Sequence, residues 1–241
     1  MKKKILAIVP AYKEEESIGA VLSSIRVHLP EADICAVDDG SPDSTYEKIL
    51  ATGVEPVRLP YNLGIGGAMQ TGFRYAFEND YDIAIQIDGD GQHRPDQAQK
   101  LMGPLERGEA NVAIGSRYLE NTGYGSSFQR KVGSRIFAYI LSMLTSQKVT
   151  DPTSGFRAFD KEAIRFFAHD YPEDYPEPEA IVLLHKVGLT FVEVPVTMEE
   201  RSGGKSSITP IRSVYYMVKV LLAIFMEAIK KKESIKHIKA P

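Results

Sequence analysis

Cysteine is down to one residue in this 241-residue chain, and internal repeats and long apolar runs are missing; each shortage removes a class of protein. One cysteine, Cys35, cannot form an internal disulfide, so a disulfide-stapled scaffold is excluded and a reducing compartment fits. The longest apolar stretch, residues 220–226, is bounded by Lys219 and Glu227. It falls well short of the ~20 residues that cross a bilayer. Met1-Lys2-Lys3-Lys4 is basic, but the apolar run at 5–9 is too short for a signal core and Pro10 follows, so a cytoplasmic chain is expected. The chain also lacks a dominant charge sign, with a net of −3. That balance hides an asymmetry. Residues 201–241 carry nine Lys/Arg against two Asp/Glu, a net of +7, which leaves −10 on the first 200. An acidic body with a basic tail suggests that the tail faces something anionic.

What is present suits a globular chain. Apolar residues make up 43% and charged residues 25%, enough for a sizeable core in one large domain or two small ones. The first 115 residues alternate short Val/Ile-rich runs with helical patterns. Strands are expected at Ile5–Ala11, 34–37, 54–59, 83–87 and 112–115, and helices at 17–28, 44–50, 66–77 and 96–107. Ser17 can cap the first helix, and Asp96 follows Pro95 at the start of the last. This order predicts an α/β fold, a mostly parallel sheet with helices on both faces, and ligands at the carboxyl ends of the strands.

Further along, the sequence predicts a loop from Gly115 to Arg135 that runs into a helix at 132–144, a turn at 150–155 and a short strand at 156–159. Three prolines predict an irregular loop at 171–178. A helix at 179–187, a strand at 191–196 and a Gly/Ser loop at 201–207 follow, and a long terminal helix at 211–232 starts after Pro210. The chain thus divides into an α/β domain over 1–210 and an apolar helix with a basic tail over 211–241. On that helix Arg212, Tyr216, Lys219, Glu227 and Lys230 form a narrow polar stripe. The rest of its surface must be covered by protein, by a second copy or by a membrane surface. In the last case Lys230-Lys231-Lys232 and Lys236 would meet anionic headgroups.

Three acidic clusters follow strands. In Asp88-Gly89-Asp90-Gly91-Gln92 a strand delivers two carboxylates two residues apart, able to project to one side. Oxygen ligands at this spacing suit Mg²⁺ or Mn²⁺, which keep positions for water and phosphate, and Gln92 would be a third, neutral ligand. Read alone, the same run is equally an Asp-Gly turn in solvent. An EF-hand is excluded, because no glutamate follows at the required distance and Pro95 interrupts the loop. The second cluster, Asp38-Asp39, can accept hydrogen bonds from a base or ribose hydroxyls, while Asp43 suits a helix cap. In the third, Tyr12 can stack on a base and Glu14 can bind a sugar or base edge; the alternative is an ordinary polar loop.

Two motifs fail. Asn62-Leu63-Gly64-Ile65-Gly66-Gly67 has Met69 where a dinucleotide fingerprint needs its last glycine, and it follows the wrong strand. Gly204-Lys205-Ser206 lacks the earlier glycine of a P-loop, whose place Glu199 takes. Cys35 is read as a core residue. His28, His169, His185 and His237 show no ligand spacing, and Arg74, Arg107 and Arg165 read as helix-surface charges.

Acids after the first, second and fourth strands, with a later basic loop, form a recognisable set. Residues 4–210 resemble family 2 glycosyltransferases of the GT-A fold. The resemblance rests on Val9-Pro10-Ala11-Tyr12-Lys13-Glu14, Val37-Asp38-Asp39-Gly40-Ser41, Asn62-Leu63-Gly64, Asp88-Gly89-Asp90-Gly91-Gln92-His93 and Gly115-Ser116-Arg117. It rests also on Asp151-Pro152-Thr153-Ser154-Gly155-Phe156-Arg157 and Glu193-Val194-Pro195. The Asp-Gly-Asp-Gly-Gln form, Gly-Ser-Arg and the run from Arg201 to Lys205 look most like polyprenyl-phosphate (dolichyl-phosphate-type) sugar transferases.

That resemblance implies roles. Pro10, Ala11, Tyr12, Glu14, Asp38, Asp39 and Gly67 would hold the nucleotide of a UDP- or GDP-linked sugar, with Asp88 and Lys205 at its diphosphate. Asp88, Asp90 and Gln92 would bind the metal; His93, by its place directly after that motif, is read as a residue behind the ligands. Arg117 with Arg130 or Arg135 would receive a lipid phosphate, and Arg201 would close with Lys205 over the donor. Asp90, Arg117 and Arg201 are the implied catalytic residues. The reaction would invert the anomeric carbon in line. A phosphate monoester has a second pKa near ~6, so it attacks as an anion without a general base.

Transfer to a saccharide hydroxyl would need a base, for which Glu177 and Glu179 in the Pro-rich loop are the candidates; otherwise they are two solvated acids. A non-catalytic nucleotide-sugar-binding module is a third reading, against which Asp88 and Asp90 speak. A homo-oligomer, peripheral attachment at the cytoplasmic face of a membrane and no nucleic-acid partner complete the expectation, the last because the acidic body offers no long basic stripe.

Overall fold

Strand β1 (Ile5–Ala11) is buried along its whole length. Its alternation sends Leu6 and Ile8 to one face and Ile5, Ala7 and Val9 to the other, each into a different apolar cluster. A strand buried on both faces needs helices on both sides, and the chain supplies them. The structure, a computed structural model, describes residues 3–120, 128–199 and 210–229, with side chains from 133 and from 218 onward in the helices that open the last two segments.

After β1 come α1 (Ile18–His28), β2 (Ala32–Asp38), α2 (Thr45–Ala51), β3 (Val57–Arg58), α3 (Gly64–Glu78), β4 (Ile83–Gln86), α4 (Ala98–Glu106) and β5 (Val112–Ser116). The second half adds α5 (Phe128–Thr145), β6 (Arg157–Asp160), α6 (Lys161–His169), α7 (Pro176–Val187), β7 (Phe191–Pro195) and α8 (Pro210–Ile229). The seven strands form one sheet in the order β3-β2-β1-β4-β6-β5-β7. Helix α1 turns Ile18, Val21, Leu22 and Ile25 inward at spacings of three and four, onto the face that α4 also covers. Helices α3, α5, α6, α7 and α8 cover the other face, around Phe73, Phe159 and Phe167. Each such fully buried side chain contributes about 1.5–3 kcal/mol of transfer free energy.

Every pairing is parallel except those of β6, which runs against both β4 and β5. This reversal has a consequence for the site. The carboxyl ends of β1, β2, β4 and β5 share one edge of the sheet, and the segment that precedes β6, rather than the one that follows it, reaches that edge.

Four expectations need correction. The strand at 54–59 shrinks to two residues because Pro56 and Pro60 bracket it and supply no N–H to a ladder. Helix α6 was not expected. Asp160 starts it by accepting the Ala163 N–H at 2.9 Å, a cap visible only once the strand before it is placed. The expected irregular loop at 171–178 already contains the first turn of α7, since first-turn N–H groups have no helical partner and Pro176 and Pro178 lose nothing there. On α8, Glu227 is buried rather than part of an outer polar stripe. Its carboxylate lies 3.0 Å from Lys186 Nζ, which also donates to the Glu227 carbonyl at 2.7 Å. That pair and the buried Val220 and Ile224 face inward, leaving Val218, Leu222, Phe225, Met226 and Ile229 exposed. Among the described residues no helix is long and apolar enough to cross a membrane.

Candidate active site

The carboxyl ends of β1, β2 and β4 open onto one cleft of about 460 Å³. Pro10, Ala11, Tyr12 and Glu14 line it from the end of β1, Asp39 from β2, and Asp88, Gly89 and Asp90 from β4. The start of α3 closes the far wall with Asn62, Gly64, Ile65 and Ala68. Tyr12 is 40% exposed, with Lys13 Nζ over its ring at 5.3 Å from the centre. Glu14 is held in place by its neighbours: its N–H donates to Thr45 Oγ1 at 2.9 Å and its Oε2 accepts from Ser17 Oγ at 2.9 Å.

Asp38 and Asp39, expected to act together, are separated by the fold. Asp38 is fully buried and does not line the cleft. Its Oδ1 accepts the Ser41 N–H at 3.1 Å and its Oδ2 faces Arg58 Nε at 3.3 Å, so it shapes the loop after β2. Asp39 reaches the cleft and also caps α3. The N–H groups of Leu63 and Gly64 donate to it at 2.7 and 2.9 Å, and Asn62 Nδ2 does so at 2.7 Å. Burial raises the Asp39 carboxyl above the usual range, against those two backbone donors. Gly67 is likewise off the cleft. Its place in the α3 turn is fixed by Leu63, whose Cβ would lie 2.5 Å from any added side-chain carbon. The glycine run is a helix start under tight packing. A Cβ on Gly66 would stand 2.4 Å from the Pro172 carbonyl oxygen.

At the cleft floor, Asp88 and Asp90 leave a single turn. Asp88 Oδ1 accepts from Gln86 Nε2 at 3.0 Å, and the Asp88 N–H donates to His93 Nδ1 at 3.0 Å. His93 therefore carries any neutral-form proton on Nε2, 3.5 Å from Asp88 Oδ2. Burial against Phe156, whose ring stacks at 5.0 Å, lowers the His93 pKa to about 4 and keeps it neutral. Gln92 sits on the same turn, its N–H donating to Asp90 Oδ1 at 3.0 Å and its carbonyl accepting the Glu199 N–H at 3.0 Å. Among the described residues no third His, Cys, Asp or Glu completes a metal cluster here. Two carboxylates facing an open cleft fit a hard cation that retains water and phosphate positions, and do not fit a closed zinc site.

Beyond the cleft, Arg117 follows β5 and is gripped by Asp151. Arg117 Nε and Nη2 each donate to an Asp151 oxygen at 2.7 Å, and Nη2 donates to Thr153 Oγ1 at 3.0 Å. Glu193 on β7 in turn accepts the N–H groups of Thr150 and Asp151 at 2.8 Å. Arg135 stands exposed on α5. The side chain of Arg130, and all of Arg201 and Lys205, lie outside the described residues. Glu177, expected among solvated acids, is half-buried on the first turn of α7. Burial raises its pKa, against the nearby Arg157, with Asp88 and Arg117 also within electrostatic reach. Glu179 accepts the Tyr175 N–H at 3.1 Å.

The sequence reading missed the α3 wall and the roles within 151–157. Asn62-Leu63-Gly64 carried the resemblance and Gly67 was given to the nucleotide, but Ile65 and Ala68, which line the wall, had no role in either reading. The second was present as a quoted run with no partner to explain it.

Residues 6–167 match the family described as glycosyl transferase family 2. The UDP-N-acetylglucosamine–dolichyl-phosphate N-acetylglucosaminyltransferase of Methanococcus voltae is 32% identical over 219 residues, covering 80% of this chain and 85% of that protein. The undecaprenyl-phosphate mannosyltransferase of Micrococcus luteus is 30% identical over 218 residues, covering 86% and 88%. The fold is shared with glucosyl-3-phosphoglycerate synthase from Mycobacterium tuberculosis, solved with Mn²⁺, UDP and glucosyl-3-phosphoglycerate. That structure aligns at a TM-score of 0.72 with 20% identity, covering 94% of this chain and 80% of that one. A mixed sheet of GT-A type, a strand-end Asp-Gly-Asp and a match across most of its domain make this chain a member of glycosyltransferase family 2.

Proposed function

We propose that this chain moves a sugar from a nucleotide-diphosphate sugar to a polyprenyl phosphate, inverting the anomeric carbon. The observation that carries this reading is the convergence of Tyr12, Glu14, Asp39, Asp88 and Asp90 on one cleft. The named acceptors of the relatives support its lipid-phosphate half. Tyr12 stacks on the base, and Glu14 and Asp39 accept from base or ribose groups. Asp88 and Asp90, with Gln92 beside them, would hold Mg²⁺ or Mn²⁺, which would supply positive charge against the leaving diphosphate. Arg117, oriented by Asp151 through Nε and Nη2, supplies positive charge to the acceptor phosphate, with Arg130 or Arg135 as the second cation. Arg201 and Lys205 bind the donor diphosphate. The acceptor is already an anion near neutral pH, so no side chain need remove its proton.

The exposed apolar residues of α8, together with Tyr139 and Met143 on α5, suit a peripheral seat at the membrane that holds the acceptor. Incubation with UDP-glucose, UDP-N-acetylglucosamine and GDP-mannose, with Mn²⁺ or Mg²⁺ and undecaprenyl phosphate, should give one lipid-linked product. Absence of product from all donors, with retained hydrolysis or polysaccharide synthesis, would overturn the lipid acceptor. A second reading, transfer to a saccharide hydroxyl, is favoured by the half-buried Glu177 near Asp88. Under it Glu177→Gln abolishes turnover; under the first reading the product still forms.

A further inference from the structure

Next to Asp88 lies a group of buried polar side chains that does not line the cleft. Gln86, Ser154 and Arg157 are each about 1% exposed, and each carries a side-chain atom without a hydrogen-bond partner: Gln86 Oε1, Ser154 Oγ and Arg157 Nη1. Three of the five such atoms among the described residues therefore fall in one neighbourhood. Gln86 and Arg157 face each other directly in the antiparallel β4–β6 ladder, so their side chains share one face of the sheet. The other end of the Gln86 amide is the group that donates to Asp88 Oδ1.

Arg157 is anchored on main chain alone. Nε donates to the Ser154 carbonyl at 2.8 Å, and Nη2 donates to the carbonyls of Glu177 at 2.9 Å and Pro152 at 3.4 Å. Among the described residues no carboxylate comes within ion-pair distance of it. A buried guanidinium without a carboxylate is an expensive way to hold two strands together, since an apolar side chain would pack there at less cost. Its donors do what an apolar residue cannot: they fix the 152–154 loop and the first turn of α7 relative to Gln86. The unpartnered atoms are complementary, a donor on Arg157, an acceptor on Gln86 and a hydroxyl that is both. The loop closes this tightly because position 155 is glycine. A Cβ there would lie 2.8 Å from Gln86 Nε2 and 3.1 Å from Asp88 Oδ2.

We propose that Gln86 and Arg157 are positioning residues for the metal carboxylate. Arg157 sets the Gln86 amide, and Gln86 holds Asp88 in the one orientation that offers it to the cation. The inference rests on the metal role of Asp88 proposed above. Partners of this kind behind a ligand are typically worth 10–100-fold in metal affinity.

The test titrates Mn²⁺ against the whole protein with UDP present and GDP in parallel, following free Mn²⁺ by electron paramagnetic resonance, with a thermal melt for each variant. Gln86→Met and Arg157→Met should each raise the Mn²⁺ Kd by about 10–100-fold. The double variant should be little worse than either single one, because both act through one chain of contacts. Arg157→Lys should recover part of the loss. Gln86→Met alters one neutral, nearly isosteric side chain, so it reports even where Arg157→Met fails to fold. Folded variants that bind Mn²⁺ within threefold of the parent, or whose effects multiply in the double variant, would overturn the proposal and leave the metal reading standing. A parent that binds no Mn²⁺ overturns both.

Discussion

Asp151 is the most informative residue to perturb, because stability and transfer should respond to it differently. Its carboxylate is fully buried, while the Arg117 side chain that it grips retains 15% exposure. Asp151→Asn keeps the shape, removes the charge and turns an amide NH₂ toward an Arg117 donor. Breaking a buried ion pair from one side costs about 3–5 kcal/mol. Arg117 keeps Thr153 and some solvent, so the lower end, about 3 kcal/mol, applies. For a chain of this size each kcal/mol shifts Tm by about 2–4 °C, which gives a fall of roughly 6–12 °C. The guanidinium also loses its fixed direction, and a misplacement of that order costs about 100-fold in turnover. The double replacement Arg117→Met with Asp151→Leu removes both charges. It should recover most of the stability, since apolar substitutes for a buried pair are often neutral, yet recover none of the transfer. Scanning calorimetry and lipid-linked product formation measure the two quantities. An Asp151→Asn protein that melts within about 2 °C of the parent and turns over normally would refute the reasoning.

Three further outcomes are expected. Asp90→Asn should abolish sugar transfer while moving Tm by less than about 3 °C, since Asp90 is a half-exposed turn residue; undiminished turnover would remove it from the metal site. Gly66→Ala should lower stability by about 1–3 kcal/mol, seen as a lower urea midpoint at unchanged m-value, because its Cβ meets the Pro172 carbonyl at 2.4 Å in tightly packed backbone. His93 has its pKa lowered from an ordinary 6.5 to about 4. The folded chain therefore binds fewer protons than the unfolded chain between those values, and stability rises with pH across that window and is lost as pH falls through it. In EDTA, His93→Gln should flatten the urea midpoint between pH 4 and 6.5, and an unchanged slope would contradict the buried neutral imidazole.

The early strands were legible because β1 and β4 are short, Val/Ile-rich and bounded by turns, and their ends delivered Tyr12, Glu14, Asp88 and Asp90 to one edge as expected. What the pattern did not carry was pairing at a distance. Asp38 and Asp39 are adjacent and chemically alike, so nothing local says that one turns inward to Arg58 and the other toward the cleft. The grip of Asp151 on Arg117 spans 34 residues and depends on β6 running antiparallel, which no periodicity announces. Glu227 illustrates the opposite error. Helical spacing assigned it to an outer stripe, and the partner that buries it, Lys186, lies on another helix.

The charge asymmetry then acquires a physical meaning at the cleft itself. Glu14, Asp39, Asp88 and Asp90 line it, and its described lining contains no lysine or arginine. Among the described guanidinium groups, Arg58 faces Asp38, Arg117 is paired with Asp151 and Arg157 donates to carbonyls, while Lys13 holds its Nζ 5.3 Å from the centre of the Tyr12 ring. Four carboxylates set against Lys13 leave the cleft unfavourable to a diphosphate unless further cations arrive with it. The acidic surplus of the first 200 residues is thus partly a demand for positive charge, which a divalent ion at Asp88 and Asp90 would meet from below. Arg201 and Lys205, the first two basic residues of the +7 segment, would meet it from the chain. If the chain acts as proposed, donor binding, and not only the chemical step, would require the metal. The same acids that disfavour phosphate on their own would make a metal-loaded cleft selective for a donor that carries one.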